Sequence, residues 1–228
     1  MDALIFNLTT AALMVLMFKA GTALVGQDPL RRRPIPWAAV ALTVLAIAAV
    51  VLQHLWSGAM GALDDDPSKS GWWRVLTSVF MQNGGIMGVA WNIATLAVIA
   101  ALAQWFWRSP VMLALFLAGI LLPQHIDALF GQADRSTDPR NFAGSSGATY
   151  FLGSTLAAGL LWFASSRADR LLALSVPVLG LALWIAQSNG HGLVAVYGFA
   201  LGAAVVPLAR RFPRFSPAPA PAGAASQP

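Results

Sequence analysis

The sequence predicts an all-α polytopic membrane protein, and three observations predict it. Of the 228 residues, 57% are hydrophobic and only 10% charged, against about 25% charged in a soluble domain. The charges are also segregated, since residues 34–63, 75–107, 109–126, 141–166 and 171–209 contain no Lys, Arg, Asp or Glu. Each run approaches or exceeds the roughly 20 residues a helix needs to cross about 30 Å of hydrocarbon. Third, the chain has no cysteine, which removes disulfides, thiolate nucleophiles and Cys-ligated metal sites together. A water-soluble enzyme is excluded. The net charge of +5 comes from basic residues scattered between apolar runs, which argues against a nucleic-acid partner.

Seven spans are expected in order. The first, about 3–26, is interrupted by Lys19, whose ammonium would snorkel to the headgroups near one end. It lacks the basic start and small-residue cleavage site of a signal peptide and is expected to be retained. The second covers about 36–56. The third and fourth, 85–107 and 110–130, are separated by Arg108, and the fifth covers 145–166. The run 171–209 is nearly two crossings long, and the turn signal Ser188-Asn189-Gly190 splits it into 170–187 and 190–209. Residues 1–34 thus form an N-terminal helix with a basic loop, 35–209 a six-helix membrane domain, and 210–228 a Pro/Ala-rich tail expected to be disordered in the cytoplasm.

Basic residues set the orientation. Arg31, Arg32, Arg33, Arg108, Arg167, Arg170, Arg210, Arg211 and Arg214 all fall in connections on one face, which the positive-inside rule makes cytoplasmic. The other face carries Asp64-Asp65-Asp66, Lys69, Arg74, Asp134, Arg135, Asp138 and Arg140, so the N-terminus is expected outside. The acidic triplet reads as a solvated loop tip. Short loops without a presequence point to a bacterial plasma membrane.

Unpaired polar groups in hydrocarbon are costly, so polar residues inside spans are the informative ones. Asn92, Ser146 and His191 all fall toward the outer ends of spans three, five and seven. Two crossings and a short turn separate Ser146 from His191, so the chain returns to the same depth. A serine hydroxyl is a poor nucleophile until an imidazole takes its proton, and this pair would supply that chemistry. Each residue also has a plainer reading. Gly and Ser clusters pack helices closely, a lone histidine is often a hydrogen-bonded core group, and Asn92 suits an interhelical clasp. His54 and His125 lie near outer helix ends as well, and the elbow G-x-S-x-G of soluble hydrolases is broken by Ala148. No cofactor or metal is expected, since histidine ligands would have to converge from separate spans.

Taken together, these residues resemble the rhomboid intramembrane serine proteases. Gly144-Ser145-Ser146-Gly147 with Tyr150 looks like the family's G-x-S-G-x-x-Y. His191 followed by Gly198 and Gly202 is similar to its base-bearing helix, and Gly71-Trp72-Trp73-Arg74 through Phe80 resembles the Trp-Arg segment of its first large loop. Gly84-Gly85 and then Asn92 follow as in its second core helix. The resemblance covers about residues 36–209 and leaves the first span as an addition to a six-helix core.

It implies a Ser146–His191 dyad cleaving transmembrane protein substrates near the outer membrane face, with lipid as the surrounding partner. It further implies Tyr150 packed on the imidazole, and Asn92 with the Ser146 N–H, beside Gly144, as oxyanion donors. Gly147, Gly198 and Gly202 would serve close helix packing. Trp73 and Arg74 would structure the loop, and the 57–84 region with span six would form a lid and lateral gate. Three positions depart from the pattern: Gly88 and Asn83 stand where the family usually has histidines, and Val194 where a glycine is common. Gln82 or Asn83 would be the replacement donors. The alternatives are a catalytically inactive rhomboid-like protein that binds transmembrane helices, and a small transporter using His54, His125 with Asp127, or Arg74.

Overall fold

The computed structural model describes residues 3–26, 33–129 and 143–212. The expected tail beyond residue 212, the outer loop carrying Asp134 to Arg140, and Arg31 and Arg32 lie outside the described residues. Within them the chain is helical: α1 (Ala3–Val25), α2 (Trp37–Leu55), α3 (Ala59–Leu63), α4 (Arg74–Thr77), α5 (Gly85–Leu129), α6 (Ser146–Phe163), α7 (Arg167–Gln187) and α8 (Gly190–Arg210).

Local chemistry explains the boundaries. α5 is broken at Arg108, where φ is 64° and ψ 161°. Pro110 follows two residues later and starts the second half, since its ring fixes a helical φ and its missing N–H costs nothing in a first turn. Gln104 fastens this corner. Its Nε2 donates to Ser109 Oγ at 2.8 Å, and its Oε1 accepts from Ala39 N at 2.9 Å, satisfying a free amide at the start of α2. α7 opens on a reciprocal cap, in which Ser166 Oγ accepts from Asp169 N at 3.0 Å and donates to Asp169 Oδ2 at 2.7 Å. Between α7 and α8, Ser188 takes a left-handed conformation (φ 49°) and the Asn189 side chain caps α8.

α6 is the axis of the bundle, and every residue from Ala148 to Leu160 is buried. Contacts along it fix the directions of its neighbours. Gly153 faces Met17 and Ile99, and Gly159 faces Leu24 and Phe106, so α1 and the first half of α5 run parallel to α6. Gly119 then abuts Phe151, so the chain reverses at Arg108 and returns along α6. Gly198 lies against Phe151, and Gly202 against Thr155 and Ala158, which makes α8 parallel as well. α2 and α7 run the other way, pairing Ala39 with Gln104 and Gly180 with Gly192.

Among the described residues, five helices are long and apolar enough to cross a membrane: Ala3–Val25, Trp37–Leu55, Gly85–Pro123, Arg167–Gln187 and Gly190–Arg210. The chain is a polytopic membrane protein on this ground. Seven spans were expected, and two features account for the lower count. The third and fourth expected spans are the two halves of α5, which part at Arg108 as expected but are counted as one element. α6 is too rich in Gly, Ser, Thr and Tyr to qualify, which its position explains: a helix wrapped by other helices needs small and hydrogen-bonding residues, not a lipid-compatible surface.

Candidate active site

The parallel courses of α1, the first half of α5, α6 and α8 bring the N-terminal ends of these helices to one end of the bundle. Asn92, Gly144, Ser146, Tyr150 and His191 therefore gather there with Thr10. Tyr150 lies one turn after Ser146 on α6, and its ring meets the His191 imidazole with centroids 4.8 Å apart and planes tilted by 58°. Among the described residues, no hydrogen bond joins Ser146 Oγ to His191.

Gly144 organises the approach to Ser146. Its φ of +130° is one that L side chains rarely adopt, and its N–H donates to Ser78 O at 3.0 Å, tying the loop before α6 to the loop before α5. A Cβ at Gly144 would lie 3.8 Å from both Asn92 Nδ2 and Ser146 Oγ, so these two groups flank one small space. Asn92 Nδ2 also donates to Gln82 Oε1 at 3.0 Å. Gln82 is buried, and its backbone is clasped by Gln53 of α2: Gln53 Oε1 accepts from Gln82 N and Gln53 Nε2 donates to Gln82 O, both at 2.9 Å. Among the described residues, Gly88 faces open space, since a Cβ there would meet nothing within 4 Å.

The two serines of the motif differ. Ser145 is fully buried, and its hydroxyl has no hydrogen-bond partner among the described residues. Ser146 is half-buried at the first position of α6, on the side of Asn92. The glycines differ too. A Cβ at Gly198 would collide with the Phe151 carbonyl, and one at Gly202 would sit 2.8 Å from Thr155 Cα. Gly147 touches nothing of this kind, because a Cβ there would find open space to 4 Å among the described residues. Among the described residues, Gly147 thus makes no close helix contact of the kind seen at Gly198 and Gly202. It leaves room beside Ser146.

Trp73 and Arg74 lie in the loop that leads to α5. Arg74 donates through Nε to Ser70 O (3.0 Å) and through Nη1 to Gly61 O (3.1 Å), Asp64 O (3.0 Å) and Asp64 Oδ1 (3.1 Å). Lys69 Nζ adds a bond to each Asp64 oxygen at 3.0 Å. Asp64 is only 7% exposed, so the expected solvated acidic tip is corrected at this residue: it is a buried charge held between two cations. Hydrogen bonds from Ser68, then Lys69, hold the Asp66 carboxyl below its ordinary range, and Asp64 raises the Lys69 ammonium. The Asp66 interactions act above its unfolded pKa and fade as pH falls through its folded value, whereas the Lys69 interactions fade as pH rises through its folded value.

No protein-family model and no curated protein sequence matches this chain. Among the described residues, no three His, Cys, Asp or Glu side chains gather closely enough to hold a metal ion.

Sequence reasoning named Gln82 as a replacement donor, and its carboxamide is beside Asn92, though with the oxygen turned to it. Two residues near His191 carried no functional reading. Asn189 read as part of a turn, yet its Oδ1 accepts from His191 N at 3.0 Å and lies 3.3 Å from His191 Nδ1. Thr10 had no role, yet its carbonyl accepts from Tyr150 Oη at 2.8 Å. A polar pair, Thr9-Thr10, inside an apolar span was the available signal.

Proposed function

We propose that the protein is an intramembrane serine endopeptidase in which Ser146 and His191 form the catalytic dyad. The observation that carries this reading is the meeting of Tyr150 and His191 at 4.8 Å, one helical turn from Ser146, at the bundle end where Asn92 also points. His191 takes the proton of Ser146 Oγ as the oxygen attacks a peptide carbonyl, then gives it to the leaving amine. Water hydrolyses the acyl-enzyme with His191 again as base. The Ser146 N–H at the start of α6 and the Asn92 amide receive the developing oxyanion, each such donor being worth about 2.7–4 kcal/mol in the transition state. Catalytic hydrogen bonds are commonly long or unmade without substrate, so the unmade Ser146–His191 bond does not count against the dyad.

In this reading the chain crosses the membrane seven times, counting α6 and both halves of α5, with a rhomboid-like core of α2 to α8 and α1 added. The N-terminus and the site face outward, in a bacterial plasma membrane. Substrates are transmembrane proteins whose helices unwind near the outer edge, with lipid around the bundle.

Purified protein in detergent is expected to cleave a helical substrate with small residues near its outer membrane edge, and Ser146→Ala is expected to abolish that cleavage. Unchanged cleavage by this variant overturns the proposal. The second reading, an inactive relative that binds transmembrane helices, draws on the missing Ser146–His191 bond and on Gly88. It requires helix binding with no cleavage by the wild-type chain.

A further inference from the structure

We propose that Thr10 of α1, acting through Asn189, fixes the tautomer and orientation of the His191 imidazole, which makes the first helix a positioning part of the site. The proposal rests on the reading of His191 as the base for Ser146.

The direction of each hydrogen bond follows from what its neighbours leave free. Thr10 Oγ1 spends its one hydrogen on Phe6 O at 2.7 Å, so it offers Asn189 only lone pairs. Asn189 must turn its NH2 toward Thr10, and Nδ2 donates to Thr10 Oγ1 at 2.7 Å. That leaves Oδ1 facing α8, where it accepts the His191 main-chain N–H at 3.0 Å and stands 3.3 Å from Nδ1. An acceptor opposite Nδ1 selects the Nδ1–H tautomer and leaves the Nε2 lone pair to take a proton. A capping role alone requires only the bond to His191 N. The fixed amide, its anchor on α1 and its full burial go beyond that need. The anchor is shared, because Tyr150 Oη donates to the carbonyl of the same Thr10 at 2.8 Å. Both groups that flank the imidazole are thus held by one residue of α1.

The test is proton and nitrogen NMR of the full chain in detergent micelles with 15N-histidine, which must resolve only His54, His125 and His191. The expected wild-type signal for His191 is Nδ1–H with bare Nε2. Thr10→Val keeps the shape and removes the acceptor, and Asn189→Ser keeps a capping oxygen while withdrawing the amide carbonyl from Nδ1. Both are expected to mix the tautomers and to lower kcat about 100-fold with KM unchanged. Thr10→Ser is expected to restore both readouts. An Nε2–H tautomer in the wild type, or tautomer and kcat unmoved in Asn189→Ser, overturns the relay, and neither outcome depends on Thr10→Val folding. Wild-type protein that shows the Nδ1–H signal, and loses it in the variants, yet cleaves nothing supports the relay and counts against the protease reading. The reverse pattern does the opposite.

Discussion

Two adjacent serines receive opposite treatment from the fold. Ser145 Oγ is buried without a partner among the described residues, while Ser146 Oγ borders the space beside Asn92. Removing an unsatisfied buried hydroxyl is nearly neutral or stabilising. Ser145→Ala is therefore expected to leave cleavage and thermal stability intact, measured on the same preparations in which Ser146→Ala is inactive. Gln82 is expected to act through Asn92, whose amide it fixes at 3.0 Å. Gln82→Leu should lower kcat by roughly tenfold to a hundredfold with little change in the melting curve, because Gln53 holds the Gln82 backbone and not its side chain. Ser146, His191 and Asn92 were legible in the sequence because each is a polar group at membrane depth. Thr10 offered the weaker signal of a polar pair in an apolar span and Asn189 read as a turn residue, because their partners depend on α1 packing beside α6 and α7, a tertiary fact that no local pattern specifies.

At the scale of the elements, close approach decides which glycines matter. Gly198 meets the Phe151 carbonyl so closely that a methyl group must push α6 and α8 apart, whereas Gly147 borders open space. Gly198→Ala should cost about 1–3 kcal/mol in detergent unfolding, and Gly147→Ala should cost next to nothing. The loop before α5 depends on Arg74, which joins Gly61, Asp64 and Ser70. Arg74→Ala leaves the buried Asp64 carboxylate with Lys69 alone and is expected to cost about 2–3 kcal/mol by the same measurement. The break at Arg108 was readable from a lone charge followed by Pro110. The central place of α6 was not readable, since its sequence reads as one more charge-free span and only the packed bundle shows that it is the helix shielded by the others.

For the molecule as a whole, alternation of helix direction is what places one set of N-terminal ends together. Charge bias then assigns that end to the outside in the proposed topology. The absence of cysteine makes a direct check available. Ser70→Cys and Ala168→Cys both substitute exposed residues at opposite ends of the bundle. A membrane-impermeant maleimide is expected to label Ser70→Cys in intact cells and Ala168→Cys only after permeabilisation; the reverse pattern inverts the topology. The central claim is the activation of Ser146 by His191, and a serine-reactive fluorophosphonate tests it most directly. Mass spectrometry of the wild-type chain should find the adduct on Ser146, and Ser146→Ala and His191→Ala should each remove it. No adduct on the wild type, or an adduct that persists without His191, would contradict the dyad.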